Sequence, residues 1–441
     1  MFSNIIIMAL QMCLALSVLI FIHELGHYLS AKFFGMKVEK FVIFFDIFEW
    51  YIFKYKYNDT EYKIGWLPIG GYVKISGMID ESLNLKITNN DSCYTSKPRW
   101  QRLIVILSGI IFNLIFGLLI FWGLTYYNGN QYIPSKSFMH NGIKALSLGK
   151  KIGFLDGDII NKVNNHYVNR YEDLLDASIF LNETNFTINR NNQEINIKTS
   201  NNIFKDILEE GVNNFIQPRF KFKIYNVIQN SPAFLSDIRP GDTIIALNNK
   251  KITFFDEFQD EILKVNSPNV NITVLRNENL ILHKNMSLQD NNKIGILVKN
   301  MDMFYEYEYY SFLESLKISI YKLMNIINIQ IKSLIKLILG ELNFSKTLSG
   351  PIGIAQQFGG YFSMYKFLSL LGLLSIMLAI INILPIPALD GGHAFFLLIE
   401  MIMQRNINLS FIRNAQMIGM ILLLVLTIFS FFNDMCKILF R

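Results

Sequence analysis

The residues best suited to chemistry stand at the end of an uncharged apolar run. Residues 4–22 (NIIIMALQMCLALSVLIFI) lead directly into His23-Glu24-Leu25-Gly26-His27. On a helix, positions four apart share a face, so His23 and His27 can offer imidazole nitrogens to one Zn²⁺. Glu24 then stands beside the ion, where it can take a proton from water as general base. The chain has six histidines, so this spacing is a poor candidate for chance. Two surface histidines beside a solvated glutamate would be the bland alternative. It fits badly at the end of a membrane-length run, where ionisable groups are costly and by default functional. Catalytic zinc takes three protein ligands and keeps a fourth position open. The third candidate is Asp390, in Asn382-Ile-Leu-Pro385-Ile-Pro387-Ala-Leu-Asp390-Gly391-Gly392-His393. Pro385 and Pro387 break an apolar helix there, and Gly391 and Gly392 permit close approach. Alone, Asp390 would read as an N-cap for the helix that follows. Beside a His-Glu-x-x-His motif at membrane depth, the ligand reading prevails, with one zinc per chain.

These groups need elements that can hold them in or at a bilayer. The chain has 441 residues, 51% hydrophobic and 17% charged, with mean hydropathy +0.29. That composition points to a membrane protein with a soluble portion. A net charge of +6 without a concentrated basic face argues against a nucleic-acid partner. Cys13, Cys93 and Cys436 are scattered and form neither a metal pair nor a disulfide framework.

Apolar runs at 4–22, 103–125, about 367–389 and about 415–432 predict four membrane helices. A signal peptide is the competing reading of the first, but it lacks a basic start and a small-residue cleavage site. Residues 311–340 predict an amphipathic helix with Lys317, Lys322, Lys332 and Lys336 among leucines and isoleucines, placed on the membrane surface or between domains. Four spans put 33–102 and 392–413 on one side and 126–366 on the other. Lysines and arginines in the short loops make that first side cytoplasmic and the long segment external.

The long segment holds an internal repeat. GFLDGDIINKVNNHYVNRYEDL (153–174) parallels DIRPGDTIIALNNKKITFFDEF (237–258). In each, Gly-Asp turns into an alternating strand, a turn follows, and a short helix opens on an acidic residue. Two copies imply two similar small domains, since a solenoid needs at least three repeats.

His-Glu-x-x-His in a first span with Asn-x-x-Pro-x-Pro-x-Leu-Asp-Gly in a later one resembles the site-2 protease family of intramembrane zinc metalloproteases. Within it, the likeness is to the bacterial form with two tandem PDZ domains. GWLPIGGYVKISG (65–77) is similar to that family's membrane-entering β-hairpin, and Ser349-Gly350-Pro351-Ile352-Gly353 also matches. Ile110 stands where proline is usual after Gly109, and Asp237 where the second repeat usually has glycine.

The resemblance implies an α-helical polytopic membrane protein of about four spans. Its expected parts are a first membrane portion (1–128, with the hairpin at 61–77), PDZ-like α/β domains at 129–215 and 216–300, an amphipathic segment (301–366) and a second membrane portion (367–441). It implies His23, His27 and Asp390 as zinc ligands, Glu24 as base, and Asn382 and Asn113 near bound substrate. It further implies a bacterial inner-membrane location with periplasmic PDZ-like domains. The implied activity is an endopeptidase of regulated intramembrane proteolysis in a stress response. Its substrates would be transmembrane proteins, such as anti-sigma factors or signal-peptide remnants, already cut once by another protease. Membrane lipid and peptide C-termini at the PDZ-like domains complete the expected partners.

Physics supplies a use for the hairpin. A peptide bond within a helix is shielded by its own hydrogen bonds, and an exposed strand edge can hold the unwound backbone. Tyr72-Val73-Lys74, after the Gly70-Gly71 bend, is the candidate edge. A membrane-tethered PDZ scaffold with an inactive metal motif is the alternative function, but it predicts the loss of Glu24 or of a ligand. A metal transporter would instead spread polar groups through several spans.

Overall fold

The computed structural model describes residues 2–46, 48, 50–78, 91–200, 202–277, 279–288, 293–347 and 349–439. They form two compact units, residues 1–129 with 309–441 and residues 130–308.

Among the described residues of the first unit, four helices are long and apolar enough to cross a membrane: Ser3–Phe33, Arg99–Asn128, Met364–Asn382 and Ser410–Leu439. Each falls where an apolar run predicts it, with different ends. The first helix, α1 (Phe2–Phe33), runs eleven residues beyond position 22, so His23, Glu24 and His27 lie well inside it. The second, α2 (Arg99–Asn128), begins just after Pro98. The third stops at Asn382, short of 389, because Pro385 and Pro387 cannot continue it. A separate helix, Asp390–Met403, starts after the break. Large apolar side chains such as Leu10, Ile418 and Leu424 stay exposed on the outer spans, as suits lipid contact.

The amphipathic segment is a helix over Phe312–Ile338, opened by a Ser311/Glu314 capping box. Its small polar face packs on α2. Ser315 and Ser319 are fully buried, the Trp122 indole donates to Ser315 Oγ at 3.1 Å, and Ser319 donates to Thr125 Oγ1 at 3.3 Å.

Between α1 and α2 lies a four-stranded sheet: β1 (Val38–Phe45), β2 (Tyr51–Tyr57), β3 (Thr60–Gly65) and β4 (Leu67–Ile75), in the order β2-β3-β1-β4. This corrects the hairpin expected at 61–77. β3 and β4 are consecutive in sequence but not paired. β1 lies between them, parallel to β3 (Phe41↔Tyr62) and antiparallel to β4 (Phe41↔Val73). The inserted strand buries Val38, Phe41 and Val42, burial that a lone hairpin could not provide. Among the described strands, β4 lies at one end of the sheet.

The second unit, Asn130–Glu308, bears out the internal repeat in three dimensions. One sheet has the order Gln193–Lys198, Asn185–Arg190, Ile159–Val163, His166–Tyr167; the other has Leu280–Ser287, Asn269–Arg276, Thr243–Leu247, Lys250–Lys251. Both are traversed by the chain in the same sequence. Each Asn-Asn is a two-residue hairpin turn with both residues at positive φ, 47° and 66° at Asn164 and Asn165, 46° and 65° at Asn248 and Asn249. Asparagine tolerates that left-handed geometry.

The Gly-Asp signature has a structural role. Asp158 and Asp242, each 1% exposed, accept forked guanidinium contacts from Arg190 (2.7 and 2.7 Å) and Arg276 (2.8 and 2.9 Å). The strand Ile216–Pro218 pairs with Ile143–Ala145 of the first repeat. The hydrogen bonding therefore carries the first repeat past the 215/216 boundary read from sequence.

Candidate metal centre

Helix spacing brings His23 and His27 onto one face of α1, and the chain break after Asn382 brings Asp390 to them. Asp390 Oδ2 lies 3.1 Å from His23 Nε2 and 3.3 Å from His27 Nε2, and the two Nε2 atoms are 3.3 Å apart. Among the described residues, these three form a group able to hold a metal ion. Asp390 is the first residue of its helix. The cap is Leu389, and no side chain caps that end, so Asp390 does not serve as the cap that sequence alone would suggest. Its Oδ2 is buried without a hydrogen-bond partner.

The donor set fits zinc. Two imidazoles and a carboxylate are a catalytic zinc combination. Ligand bonds of about 2.0–2.2 Å in tetrahedral array separate donor atoms by roughly 3.3–3.5 Å, close to the triangle observed. A buried oxygen with no partner would be expensive unless a cation satisfies it.

The surroundings set the imidazole tautomers. His27 Nδ1 lies 2.8 Å from the Val105 carbonyl oxygen. A carbonyl only accepts, so Nδ1 carries the hydrogen and Nε2 keeps a lone pair for a metal. His23 Nδ1 lies 3.3 Å from the Asn113 amide nitrogen, while Asn113 Oδ1 is buried and unpartnered. Amide nitrogen and oxygen are assigned by hydrogen-bond logic. Turning the amide over lets Oδ1 accept from His23 Nδ1–H, satisfies the orphaned oxygen and frees Nε2 toward the metal. Asn113 thus stands behind His23. It is fully buried on α2 and itself held by Ser375, which donates to its carbonyl at 2.7 Å.

The crossing of α1 and α2 is equally constrained. A Cβ on Gly26 would meet the Ser108 carbonyl oxygen at 2.6 Å, and one on Gly109 would meet His27 Nε2 at 2.5 Å and His23 Cε1 at 2.7 Å. Ser30 and Ser108 share a hydroxyl hydrogen bond of 2.8 Å across the crossing.

The three donor atoms open on a cavity of about 390 Å³, which Glu24, Asn382, Gly70, Gly71, Tyr72 and Val73 also line. The backbone of Val73 faces the Glu24 carboxylate. Lys74 is not at the cavity; its ammonium is 4.0 Å from Glu39. The Tyr72 hydroxyl is turned to Asp46, at 3.0 Å. Sequence reasoning gave no role to Val105, Gly109 or Gln416. Val105 acts through its backbone, which leaves no sequence signal. Gly109 could have been singled out as a small residue opposite the histidine turn. Gln416 is a lone amide opening the last apolar run.

This geometry could hold a metal ion among helices long and apolar enough to cross a membrane. The profile of peptidase family M50 matches residues 11–426. The chain belongs to this family, the site-2 protease family. It is 30% identical to a protein of Borreliella burgdorferi provisionally named a zinc metalloprotease, over 96% of each chain. It is 29% identical to the regulator of sigma E protease of Haemophilus influenzae, over 96% of this chain and 98% of that one. A Vibrio cholerae protein, also provisionally named a zinc metalloprotease, is 26% identical over 96% and 97% of the two chains.

Proposed function

We propose that this chain is a zinc-dependent intramembrane endopeptidase with one Zn²⁺ held by His23, His27 and Asp390. The observation that carries the reading is the buried triangle of two imidazole nitrogens and an otherwise unpartnered carboxylate oxygen, with Glu24 in the same cavity. When bound, zinc supplies Lewis acidity that activates water and polarises the scissile carbonyl. Glu24 takes the proton of the attacking water and returns it to the leaving amine. Val105 and Asn113 fix the two imidazoles. The outer strand β4 aligns an unwound substrate strand by β-augmentation, and Asn382 contacts that strand. Lys74 takes no direct part in this reading.

The remaining assignments belong to the same proposal. The two repeats are PDZ-like domains on the periplasmic side of a bacterial inner membrane, and the short loops face the cytoplasm. The repeats select substrates by size or by holding peptide C-termini. The substrates are transmembrane segments of proteins already trimmed by another protease, such as anti-sigma factors or signal-peptide remnants, within a stress response. Support comes from the repeat topology, the charge bias of the loops and the likeness to a protein named as a regulator of sigma E protease.

The test is Asp390→Ala. Zinc content and cleavage of a reporter transmembrane substrate should both fall, since a two-histidine site lacks its third ligand. Unchanged metal stoichiometry and turnover would remove Asp390 from the site.

A further inference from the structure

The last apolar helix carries a buried glutamine amide to which the proposed chemistry gives no part. Gln416 is 3% exposed, its Oε1 is buried without a hydrogen-bond partner, and it lines the cavity that holds His23, Glu24 and Asp390. Its placement is rigid. Three residues on, a Cβ at Gly419 would meet the Pro387 carbonyl oxygen at 1.9 Å and Ala388 Cβ at 3.2 Å. The helix therefore lies directly on the Pro387–Ala388 segment, and residues three apart share a face.

A substrate strand paired to β4 satisfies only one of its edges. Where the apolar helices that line this cavity face the other edge, its N–H and C=O groups would be left unpaired, which costs free energy at membrane depth. The wall formed by the Pro387–Ala388 segment and the last span must therefore offer acceptors and donors. Gln416 Oε1 is a buried acceptor already in place and unused.

We infer that Gln416 is a substrate-positioning residue, whose Oε1 accepts a backbone N–H from the outer edge of an extended peptide lying along β4. The inference rests on the protease reading. It assigns the residue no part in holding zinc or moving the proton. An N–H acceptor serves any side-chain sequence, so Gln416 selects for an extended, unwound backbone.

The test uses the full chain with Glu24→Gln, which binds without cutting, in lipid nanodiscs. The probe is a fluorescent transmembrane peptide, together with a set in which single peptide N–H groups near the cleavage position are replaced by ester oxygens. Gln416→Leu should weaken binding of the parent peptide about tenfold and leave zinc content unchanged. One ester position should weaken binding to the same extent, and that loss should vanish in Gln416→Leu, as a double-mutant cycle requires for a direct contact. In the cutting enzyme, Gln416→Leu should raise KM more than it lowers kcat. Peptide binding that is real yet indifferent to Gln416, or ester losses of equal size in both backgrounds, would overturn the inference and leave the protease reading intact. Absence of peptide binding in the parent would overturn the protease reading and this inference with it.

Discussion

At the scale of single residues, the proposed metal centre depends on groups that would bind no metal. His23 presents Nε2 to the cluster only if Nδ1 carries a hydrogen, and the available acceptor is the Asn113 amide at 3.3 Å. Loss of such a supporting partner typically costs about 10–100-fold in metal affinity. Asn113→Ala should therefore weaken zinc binding by roughly that factor in a competition titration with a chelator, while Asn113→Asp, which keeps an acceptor oxygen, should recover most of it. Equal zinc affinity in wild type and Asn113→Ala would show that the contact does not set the tautomer. The His-Glu-x-x-His unit was legible because its spacing encodes its own geometry. Asn113 was placed near the site only through resemblance, since its hydrogen bond joins residues 90 positions apart in the chain. The backbone contact from Val105 had no signal in residue type.

At the scale of elements, local patterns were legible and non-local pairings were not. The four spans and the amphipathic helix follow from runs and periodicity carried within each segment. The sheet between α1 and α2 was not legible, because β1 and β3 pair in parallel across a connection containing β2, and adjacency in sequence favours a hairpin. The repeats were legible because Gly-Asp and Asn-Asn mark turns at a constant offset. Sequence gave no hint, however, that each aspartate anchors an arginine about thirty residues on.

That pair has a thermodynamic consequence. Asp242 is deeply buried, which alone would raise its pKa. The Arg276 fork prevails and holds it below the ordinary value. A depressed folded-state pKa contributes stability above the unfolded value, near pH 4, and loses it as pH falls further. Removing the arginine strands a buried charge, at a cost of about 3 kcal/mol. Arg276→Met should therefore lower the protection of amides in residues 222–287 by about that amount in hydrogen exchange of the full chain near neutral pH, and the deficit should shrink in acid. Unaltered protection would show that the ion pair is dispensable.

At the scale of the whole molecule, the 130–308 unit is an insertion whose ends meet. Asn130 pairs with Glu308 and Tyr132 with Glu306 in one antiparallel ladder, so excising the unit leaves two termini close enough for a short linker. Deletion of 130–308 with such a linker should preserve zinc content, since every residue of the metal centre belongs to the other unit. It should also permit cleavage of substrates with untrimmed external domains. A deletion variant that binds zinc yet still demands prior trimming would place selection in the membrane portion. The central claim is that Glu24 acts on water at a zinc held by His23, His27 and Asp390, and the most direct measurement compares wild type with Glu24→Gln. Both proteins, purified in parallel, are assayed for zinc by elemental analysis and for cleavage of one reporter transmembrane substrate. One zinc per chain in both, with cleavage confined to wild type, is the predicted result; proteolysis at the wild-type rate by Glu24→Gln, or full activity of a wild-type protein without zinc, would contradict it.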